Sequence, residues 1–354
     1  MAIADQAPAP DVMHKLNNHS EFAIIRRFFA TSKLSFPREG IELGIGDDAA
    51  LIDVPPNKFL AMSMDVLISG IHFPPDAAPS LIANRALAVN LSDLAAMGAE
   101  PYCFTLGLVL PQSNGKWLGD FSAGLEPLAK QYNCPLVGGD TSAGPMSISI
   151  QVQGLVDRNR AVRRSGANVG DKIYVSGTLG DGAIALLVLG LDSHLGSEFS
   201  LSQRDPSAAC REYFKDAYFK PQPQIALALA AGKLFSSAID ISDGLQGDLQ
   251  HILDASEVAG SIRLDAIPYS KSAMCCVGSE NRMLAALFGG DDYELCFTVA
   301  EKDCIELESI ARELGVRVTC IGDINAGEGI TYLGANDSPI EVTAQAFQHF
   351  SATT

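Results

Sequence analysis

The segment 44–51 constrains this chain more than any other, because its pattern of glycine and aspartate recurs downstream. Two glycines allow a sharp turn and a close approach to a ligand, and Asp47 and Asp48 follow at once. A simple turn would explain one such segment. Small residues with aspartate appear again at Ser63-Met64-Asp65, Ser92-Asp93, and in segments 138–141, 240–244 and 289–292. Most of these segments adjoin strand-like stretches, and together they predict one acidic site assembled from distant parts of the chain.

The net charge narrows the range of partners. Lysine and arginine number 25 and aspartate and glutamate 42, so the net charge is −17. A chain this acidic is not expected to bind a nucleic-acid backbone or an anionic membrane. If its ligand is itself an anion, cations must stand between the ligand and the protein. Divalent metal is therefore part of the prediction from the start.

Cysteine usage and hydropathy predict a cytoplasmic protein. The eight cysteines contain no C-x-x-C pair, and most lie in apolar stretches, so we expect reduced core residues without zinc or disulfides. Residues 1–20 are polar and lack the apolar segment of a signal peptide. No run approaches the roughly 20 apolar residues that a membrane helix needs.

The chain length and the pattern of apolar residues predict two mixed α/β domains. Residues 1–20 are expected to form a flexible extension. Residues 21–158 would form an N-terminal domain, and residues 159–354 a C-terminal α/β domain that begins in a polar, basic connection. The predicted helices include 79–97, 182–191, 223–232 and 303–314, and the predicted strands include 58–66, 103–110, 146–152, 172–176, 238–241, 293–299 and 316–321.

Two of these predicted elements carry polar residues in informative places. In strand 58–66, alternation puts Ser63 and Asp65 on one face and Met62 and Met64 on the other. In helix 79–97, Asp93 lies among apolar residues, where a carboxylate without a partner would be costly to bury. This predicts a functional role for Asp93.

Familiar catalytic motifs are absent. The sequence has no G-x-x-x-x-G-K-[ST] loop, no protein-kinase or dinucleotide-binding signature and no H-E-x-x-H motif. What remains is a large set of hard oxygen ligands, which suit Mg²⁺ that holds phosphate groups. Neighbouring glycines would let backbone N–H groups meet phosphate oxygens.

The motifs, taken in order, resemble the thiamine-monophosphate kinase family, in the superfamily of aminoimidazole ribonucleotide synthetase. The resemblance runs from about residue 21 to residue 350 and is carried by segments 44–51, 90–99, 138–141, 164–167, 239–244 and 289–295. It implies direct in-line transfer of the γ-phosphate of ATP to thiamine phosphate, with Mg²⁺, to give thiamine diphosphate. It also implies a homodimer whose N-terminal domains share a β-barrel.

The resemblance also assigns roles to residues of this chain. For Mg²⁺ it implies Asp47, Ser63, Met64 (through its carbonyl oxygen), Asp65, Asp93, Asp140, Asp240 and Asp243. For the nucleotide it implies Gly139, Asp140, Arg164 and Ser242. For thiamine phosphate it implies His72, Asp291 and Phe347. No residue is expected to carry phosphate covalently.

Several residues in or near these motifs have a purely structural alternative. Asp48 and His72 could be ordinary turn residues, and Phe347 could be packed in the core. Asp248 is predicted to be a solvated helix residue. Two alternative functions also stay open: another ATP-dependent enzyme of the same superfamily, and a catalytically silent dimer that binds nucleotide and Mg²⁺. A selenophosphate synthetase would need a reactive cysteine near the first glycine-rich loop, whereas the first cysteine here is Cys103.

Overall fold

The computed structural model describes residues 21–191, 193, 195–196, 199–202 and 206–342. In the N-terminal part the elements are α1 (Glu21–Ile24), β1 (Ile41–Leu43), β2 (Leu51–Ile52), β3 (Lys58–Ile68), α2 (Pro79–Ala96), β4 (Glu100–Leu110), α3 (Gly115–Gln131), β5 (Leu136–Ala143) and β6 (Ser147–Asp157). The C-terminal part contains β7 (Lys172–Ser176), α4 (Asp181–Leu189), α5 (Ala208–Phe219), α6 (Ile225–Ala231), β8 (Phe235–Asp240), α7 (Leu245–Ser256), β9 (Ala259–Arg263), α8 (Lys271–Cys276), α9 (Ser279–Phe288), β10 (Leu295–Val299), α10 (Cys304–Leu314), β11 (Val318–Asn325), β12 (Gly329–Leu333) and β13 (Pro339–Ile340).

Two large sheets organise the described residues, and β1 and β2 pair as a third sheet of two strands. The first has four strands in the order β3-β6-β4-β5, so β3 and β5 are its edges. The second has seven strands in the order β13-β12-β9-β11-β7-β10-β8. The predicted domain boundary at residues 158–159 falls in the connection between β6 and β7, and hence between the two sheets. The prediction of a mixed α/β organisation is confirmed.

Helix α2 places several of the predicted site residues. Pro79 begins the helix, where its missing N–H costs no hydrogen bond, and Gly98, with a φ of 64°, follows its end. Between them the sequence is mostly apolar, and the helix is buried on most of its sides. It packs against α3 and against the inner faces of β3 and β6. The polar side chains of Arg85, Asn90 and Ser92 in α2 are therefore held inside the protein.

The two sheets share one continuous hydrophobic core. It contains Phe104 and Ile150 from the first sheet and Tyr174 and Phe297 from the second. Phe297 stacks on Tyr174 and on Phe235, with ring centroids 5.9 and 4.2 Å apart. All three rings belong to the second sheet, and the cluster that contains them continues into the first sheet, so apolar contact joins the two parts of the chain.

All eight cysteines carry free thiols, as the sequence predicted. Not all of them are core residues, because Cys275 is exposed and three others are only partly buried. Across the described part of the chain, no helix combines the length and the hydropathy that spanning a membrane requires. The predicted extension 1–20 lies outside the described residues.

Candidate active site

A cavity of about 480 Å³ lies between the two parts of the chain. Its wall contains residues of β3 and α2 on one side, and on the other the segments that follow β8 and α9. Seven of the predicted site residues line it together: Asp65, His72, Asp93, Asp240, Ser242, Asp243 and Asp291. These residues are far apart in sequence, and the fold brings them to one place.

Strand β3 and helix α2 hold two of the carboxylates in the cavity. Ser63 and Asp65 point inward from β3, as the alternation predicted. The backbone N–H of Asp65 donates to Asn90 Oδ1 (3.0 Å), and Ser63 Oγ donates to Asp93 Oδ2 (2.6 Å). These bonds fix the strand against the helix with both carboxylates facing the same space.

The carboxylates of this cavity repel one another. Burial raises the pKa of Asp65 to about 6, and the nearby charge of Asp93 contributes to the shift. Burial likewise raises the pKa of Asp93, and it raises the pKa of Asp240 well above the ordinary value, with Asp93 again contributing. Desolvation and like charge both favour the neutral form. A cation placed between these groups would relieve both effects.

The loop after β8 carries Ser242 and Asp243 and is held by Asp248. The carboxylate of Asp248 accepts hydrogen bonds from the backbone N–H groups of Ser242 (3.0 Å) and Asp243 (3.1 Å). Asp248 is only 3% exposed, so the prediction that it is solvated is wrong. It lies in the first turn of α7, and its carboxylate accepts from loop amides that precede the helix instead of facing water. Burial raises its pKa to about 7.

The loop before β10 is held in an unusual conformation. Asp291 and Tyr293 have φ values of 63° and 52°, which are uncommon for residues other than glycine. The loop is fixed by backbone hydrogen bonds from Asp291 N to Ser242 O and from Tyr293 N to Ile241 O, both 2.8 Å long. Strained backbone of this kind is often found at functional sites.

Arg85 is a buried, cavity-lining residue that the sequence analysis did not identify. It lies in α2, is 2% exposed and lines the cavity. Burial lowers the pKa of its guanidinium, but Asp291 and the hydroxyls of Tyr293 and Tyr218 more than offset this, so the side chain stays charged. The signal was the one that identified Asp93, namely a charged residue within a mostly apolar helix.

A second cavity, of about 580 Å³, contains the other predicted residues of the acidic set. It is lined by residues of the loop between β1 and β2 and by residues of β5, including Asp47, Gly139 and Asp140. Gly139 has a φ of 147°, and a Cβ there would lie 1.9 Å from the carbonyl oxygen of Leu106, so only glycine fits. Asp48 is exposed, and its backbone N–H donates to Asp47 Oδ1 (2.8 Å).

The single chain therefore divides the predicted acidic site between two cavities. Asp65 lies on the edge strand β3, whereas Asp140 lies on the opposite edge strand β5. These strands are three strand spacings apart, or about 14 Å. The sequence pattern could not show this, because it contains the order of the segments along the chain but not their places in the sheet.

The remaining predicted residues occupy other positions. Met64 is 54% exposed on the outer face of β3, so its sulfur points away from Ser63 and Asp65. Arg164 is exposed and lines neither cavity, although its charge lowers the pKa of Asp93 against the larger effect of burial. His72 Nδ1 accepts a hydrogen bond from the backbone N–H of Ile68 (3.0 Å). Phe347 lies outside the described residues.

The donor set of the first cavity fits Mg²⁺ in kind, because it consists of carboxylate and hydroxyl oxygens. Burial, together with the nearby charge of Asp93, raises the pKa of Asp65 and of Asp240, and a divalent cation would offset both effects. Within the described ranges, no three His, Cys, Asp or Glu side chains are already close enough to hold a metal ion between them. The set is therefore a group of donors with open positions rather than a closed cage.

Known proteins are similar to this chain in sequence. The family model of the AIR synthase related protein matches residues 46–156 with its N-terminal domain and residues 168–333 with its C-terminal domain. Thiamine-monophosphate kinase of Escherichia coli (strain K12) is 42% identical over 332 residues, which covers 94% of this chain and 98% of that protein.

Solved structures agree with these sequence matches. Thiamine-monophosphate kinase from Stenotrophomonas maltophilia K279a superposes with a TM-score of 0.76 at 41% identity. The match covers 83% of this chain and 92% of that chain. The structure of AaThiL complexed with AMPPCP and TMP superposes with a TM-score of 0.69 at 28% identity. The match covers 86% of this chain and 92% of that chain. The chain therefore belongs to the thiamine-monophosphate kinase family of the AIR synthase related proteins.

Proposed function

We propose that this protein transfers the γ-phosphate of ATP to thiamine phosphate and forms thiamine diphosphate. The observation that carries the proposal is the cavity between the two parts of the chain, where Asp65, Asp93 and Asp240 face His72 and Asp291. Relatives named for this activity match the chain over almost its whole length. A structural neighbour holds AMPPCP and TMP together.

The carboxylates would hold Mg²⁺, which supplies charge neutralisation between two phosphate groups that repel each other. The proposed ligands are Asp47, Ser63, Asp65, Asp93, Asp140, Asp240 and Asp243, with the carbonyl oxygen of Met64. Ser63 supports this role by donating to Asp93 Oδ2, which orients that carboxylate. The nucleotide would be held by Gly139, Asp140, Arg164 and Ser242, and thiamine phosphate by His72, Asp291 and Phe347.

Phosphate would pass directly from ATP to the acceptor in line. A phosphate oxygen of thiamine phosphate is already a nucleophile and needs positioning more than deprotonation. His72 Nδ1 is engaged by the backbone N–H of Ile68, which supports a role in binding rather than in carrying phosphate. The chain's own contribution is then to align two anions and to exclude water.

We also propose that the protein is a homodimer, and this proposal rests on β3. Its outer face exposes a row of large apolar side chains: Leu60, Met62, Met64, Val66 and Ile68. Apolar rows of this size on an edge strand are typical of surfaces that another chain covers. Two four-stranded sheets that meet at their edges would close into the β-barrel that the sequence resemblance implies.

A barrel of two copies would also join the two cavities. If β3 of one copy pairs with β5 of the other, Asp65 and Asp93 of the first copy face Asp47 and Asp140 of the second. The separation of these residues within one chain supports this arrangement, because β3 and β5 are opposite edges of the same sheet. Each active site would then contain residues of both copies.

A coupled assay for ADP release tests the proposed function. We expect turnover with ATP, Mg²⁺ and thiamine phosphate, and none when thiamine, aminoimidazole ribonucleotide precursors or selenide replace thiamine phosphate. Asp93→Asn should reduce turnover by about 10³-fold or more while the circular dichroism spectrum is unchanged, because one ligand oxygen loses its charge.

Two outcomes of that assay would contradict the proposal. Turnover with a different acceptor would favour another enzyme of the superfamily, and nucleotide binding without any turnover would favour a silent dimer. Near-normal activity of Asp93→Asn would mean that the ligand assignment is wrong.

A cytoplasmic location is proposed as well, supported by eight free thiols.

A further inference from the structure

Arg85 joins three separate parts of the cavity wall. Its Nε donates to the carbonyl oxygen of His72 (3.2 Å), and Nη1 donates to the carbonyl oxygen of Tyr218 at the end of α5 (2.7 Å). Its Nη2 donates to Asp291 Oδ1 (2.6 Å). One planar guanidinium thus holds the loop after β3, the end of a C-terminal helix and the loop before β10.

Two tyrosines close this arrangement into a network. The hydroxyl of Tyr218 donates to the same His72 carbonyl oxygen (2.9 Å), and the hydroxyl of Tyr293 donates to Asp291 Oδ1 (3.1 Å). The ring of Tyr218 also lies against the guanidinium, with Cζ of Arg85 4.0 Å from its centroid. Asp291 therefore receives two donors and cannot rotate freely.

The ends of this network are the two described residues that we assign to thiamine phosphate, His72 and Asp291. Both belong to short loops, and Asp291 has strained backbone, so neither is positioned by regular secondary structure. Arg85 instead lies on a rigid, buried helix. A rigid element that fixes two loops can set the distance between them.

We propose that Arg85 is a positioning residue for the substrate side of the site, and that it sets thiamine phosphate affinity by fixing Asp291 against His72. This inference rests on the proposed function. It predicts a selective effect, because Arg85 contacts none of the residues that we assign to the nucleotide. Lysine at this position would keep the charge but lose the planar fork, so it could not make all three contacts.

The test is the kinetics of Arg85→Lys in the full-length protein with Mg²⁺. We expect the KM for thiamine phosphate to rise about tenfold or more, with the KM for ATP within about twofold of wild type and a smaller change in kcat. Because Arg85 acts through Asp291, the same substitution in an Asp291→Asn background should change the KM for thiamine phosphate by less than about twofold.

Arg38→Lys is the matched control. Arg38 is also a largely buried arginine; it donates to the carbonyl oxygens of Pro101 (2.6 Å) and Tyr102 (3.0 Å) and pairs with Glu100, but it lines neither cavity. A general loss of stability would affect both variants, whereas the change in KM should occur only at Arg85. If Arg85→Lys does not fold, Tyr293→Phe removes one donor to Asp291 and should raise the KM for thiamine phosphate about two- to fivefold.

Several results would overturn the inference. The inference fails if the KM for thiamine phosphate is unchanged in the folded Arg85→Lys variant. If that variant does not fold, an unchanged KM in Tyr293→Phe has the same meaning. Equal increases in both KM values, or full additivity with Asp291→Asn, would overturn the inference as well. A wild-type protein without activity on thiamine phosphate would remove the proposed function and this inference with it. An active wild type with an unselective Arg85 variant would remove the inference alone.

Discussion

Asp248 connects a helix to the loop that presents Ser242 and Asp243 to the cavity. Its carboxylate is the acceptor for two backbone N–H groups in a place that water barely reaches. Asp248→Ala would leave both N–H groups without this partner. We expect the variant to lose about 1–3 kcal/mol of unfolding free energy, measured by urea denaturation, and to lose activity because the loop is released.

Asp248→Asn provides the comparison for this prediction. Asparagine has nearly the same shape and keeps one acceptor oxygen, so its cost should be clearly smaller than that of alanine. If the alanine variant were within about 0.5 kcal/mol of wild type, Asp248 would behave as the solvated residue that the sequence suggested.

Single residues were predictable where their surroundings were apolar and their chemistry was specific. Asp93 was identified because an unpartnered carboxylate does not belong in an apolar helix. Asp248 was misjudged because its sequence position shows only that it adjoins the apolar stripe of Leu245 and Leu249, not that loop amides lie above it. Its partners, the N–H groups of Ser242 and Asp243, lie in the loop just before the helix, and the apolar spacing of the helix does not reveal them.

At the scale of elements, Asp323 ties three neighbouring strands together. It lies on β11 and accepts from Lys172 of β7 (2.7 Å) and from Arg263 of β9 (2.8 Å). Burial alone would raise the pKa of Asp323, but these two hydrogen bonds and charges outweigh it and hold the pKa below the ordinary 3.8. The ionised carboxylate is therefore stabilised by folding.

This pKa shift sets a pH dependence of stability. Because the unfolded chain takes up a proton more readily than the folded protein, the stabilisation is present above pH 3.8 and is lost as pH falls through the folded pKa. Asp323→Asn should cost about 1–3 kcal/mol at pH 7, and the difference from wild type should shrink in acid. Urea denaturation at several pH values measures it. A difference that did not change with pH would contradict the assignment.

Glu301→Gln is the control for the same cluster. Glu301 pairs with Lys172 at 3.6 Å but is 79% exposed, so its removal should change the unfolding free energy by less than about 0.5 kcal/mol at any pH.

Elements with strong periodicity or clear end signals were predicted well, and others were not. Helix α2 and strands β3 and β7 appear within two residues of the predicted ends. Helix α5 was missed because its charged surface hides a weak apolar stripe, although Ser207 accepts from the N–H of Cys210 at its start, a cap that the sequence could have suggested. Helices α8 and α9 are short and were missed for the same lack of pattern.

At the scale of the whole molecule, the proposed dimer makes each site depend on both copies. Asp93→Asn and Asp140→Asn homodimers should both be inactive. A heterodimer with one copy of each variant has one site in which both residues are changed and one in which both are intact. We expect it to recover about half of wild-type activity, since one of two equivalent sites works. Two affinity tags allow its purification after co-expression.

The competing arrangement gives an opposite result. If Asp93 and Asp140 of the same copy served one site, every site of the heterodimer would lack one of them, and the purified heterodimer would be inactive. A heterodimer of Asp93→Asn with wild type serves as the reference for half activity.

The two faces of β3 have a consequence for how this family can change. One face carries Ser63 and Asp65 toward the cavity, and the other carries Met62 and Met64 outward. Because the faces alternate residue by residue, deletion or insertion of a single residue would exchange them. The thioethers of the methionines would then enter the carboxylate cavity, and the carboxylate of Asp65 would face outward. We therefore expect members of this family to differ in this strand by substitutions but not by insertions or deletions. The surrounding loops, in contrast, can vary in length.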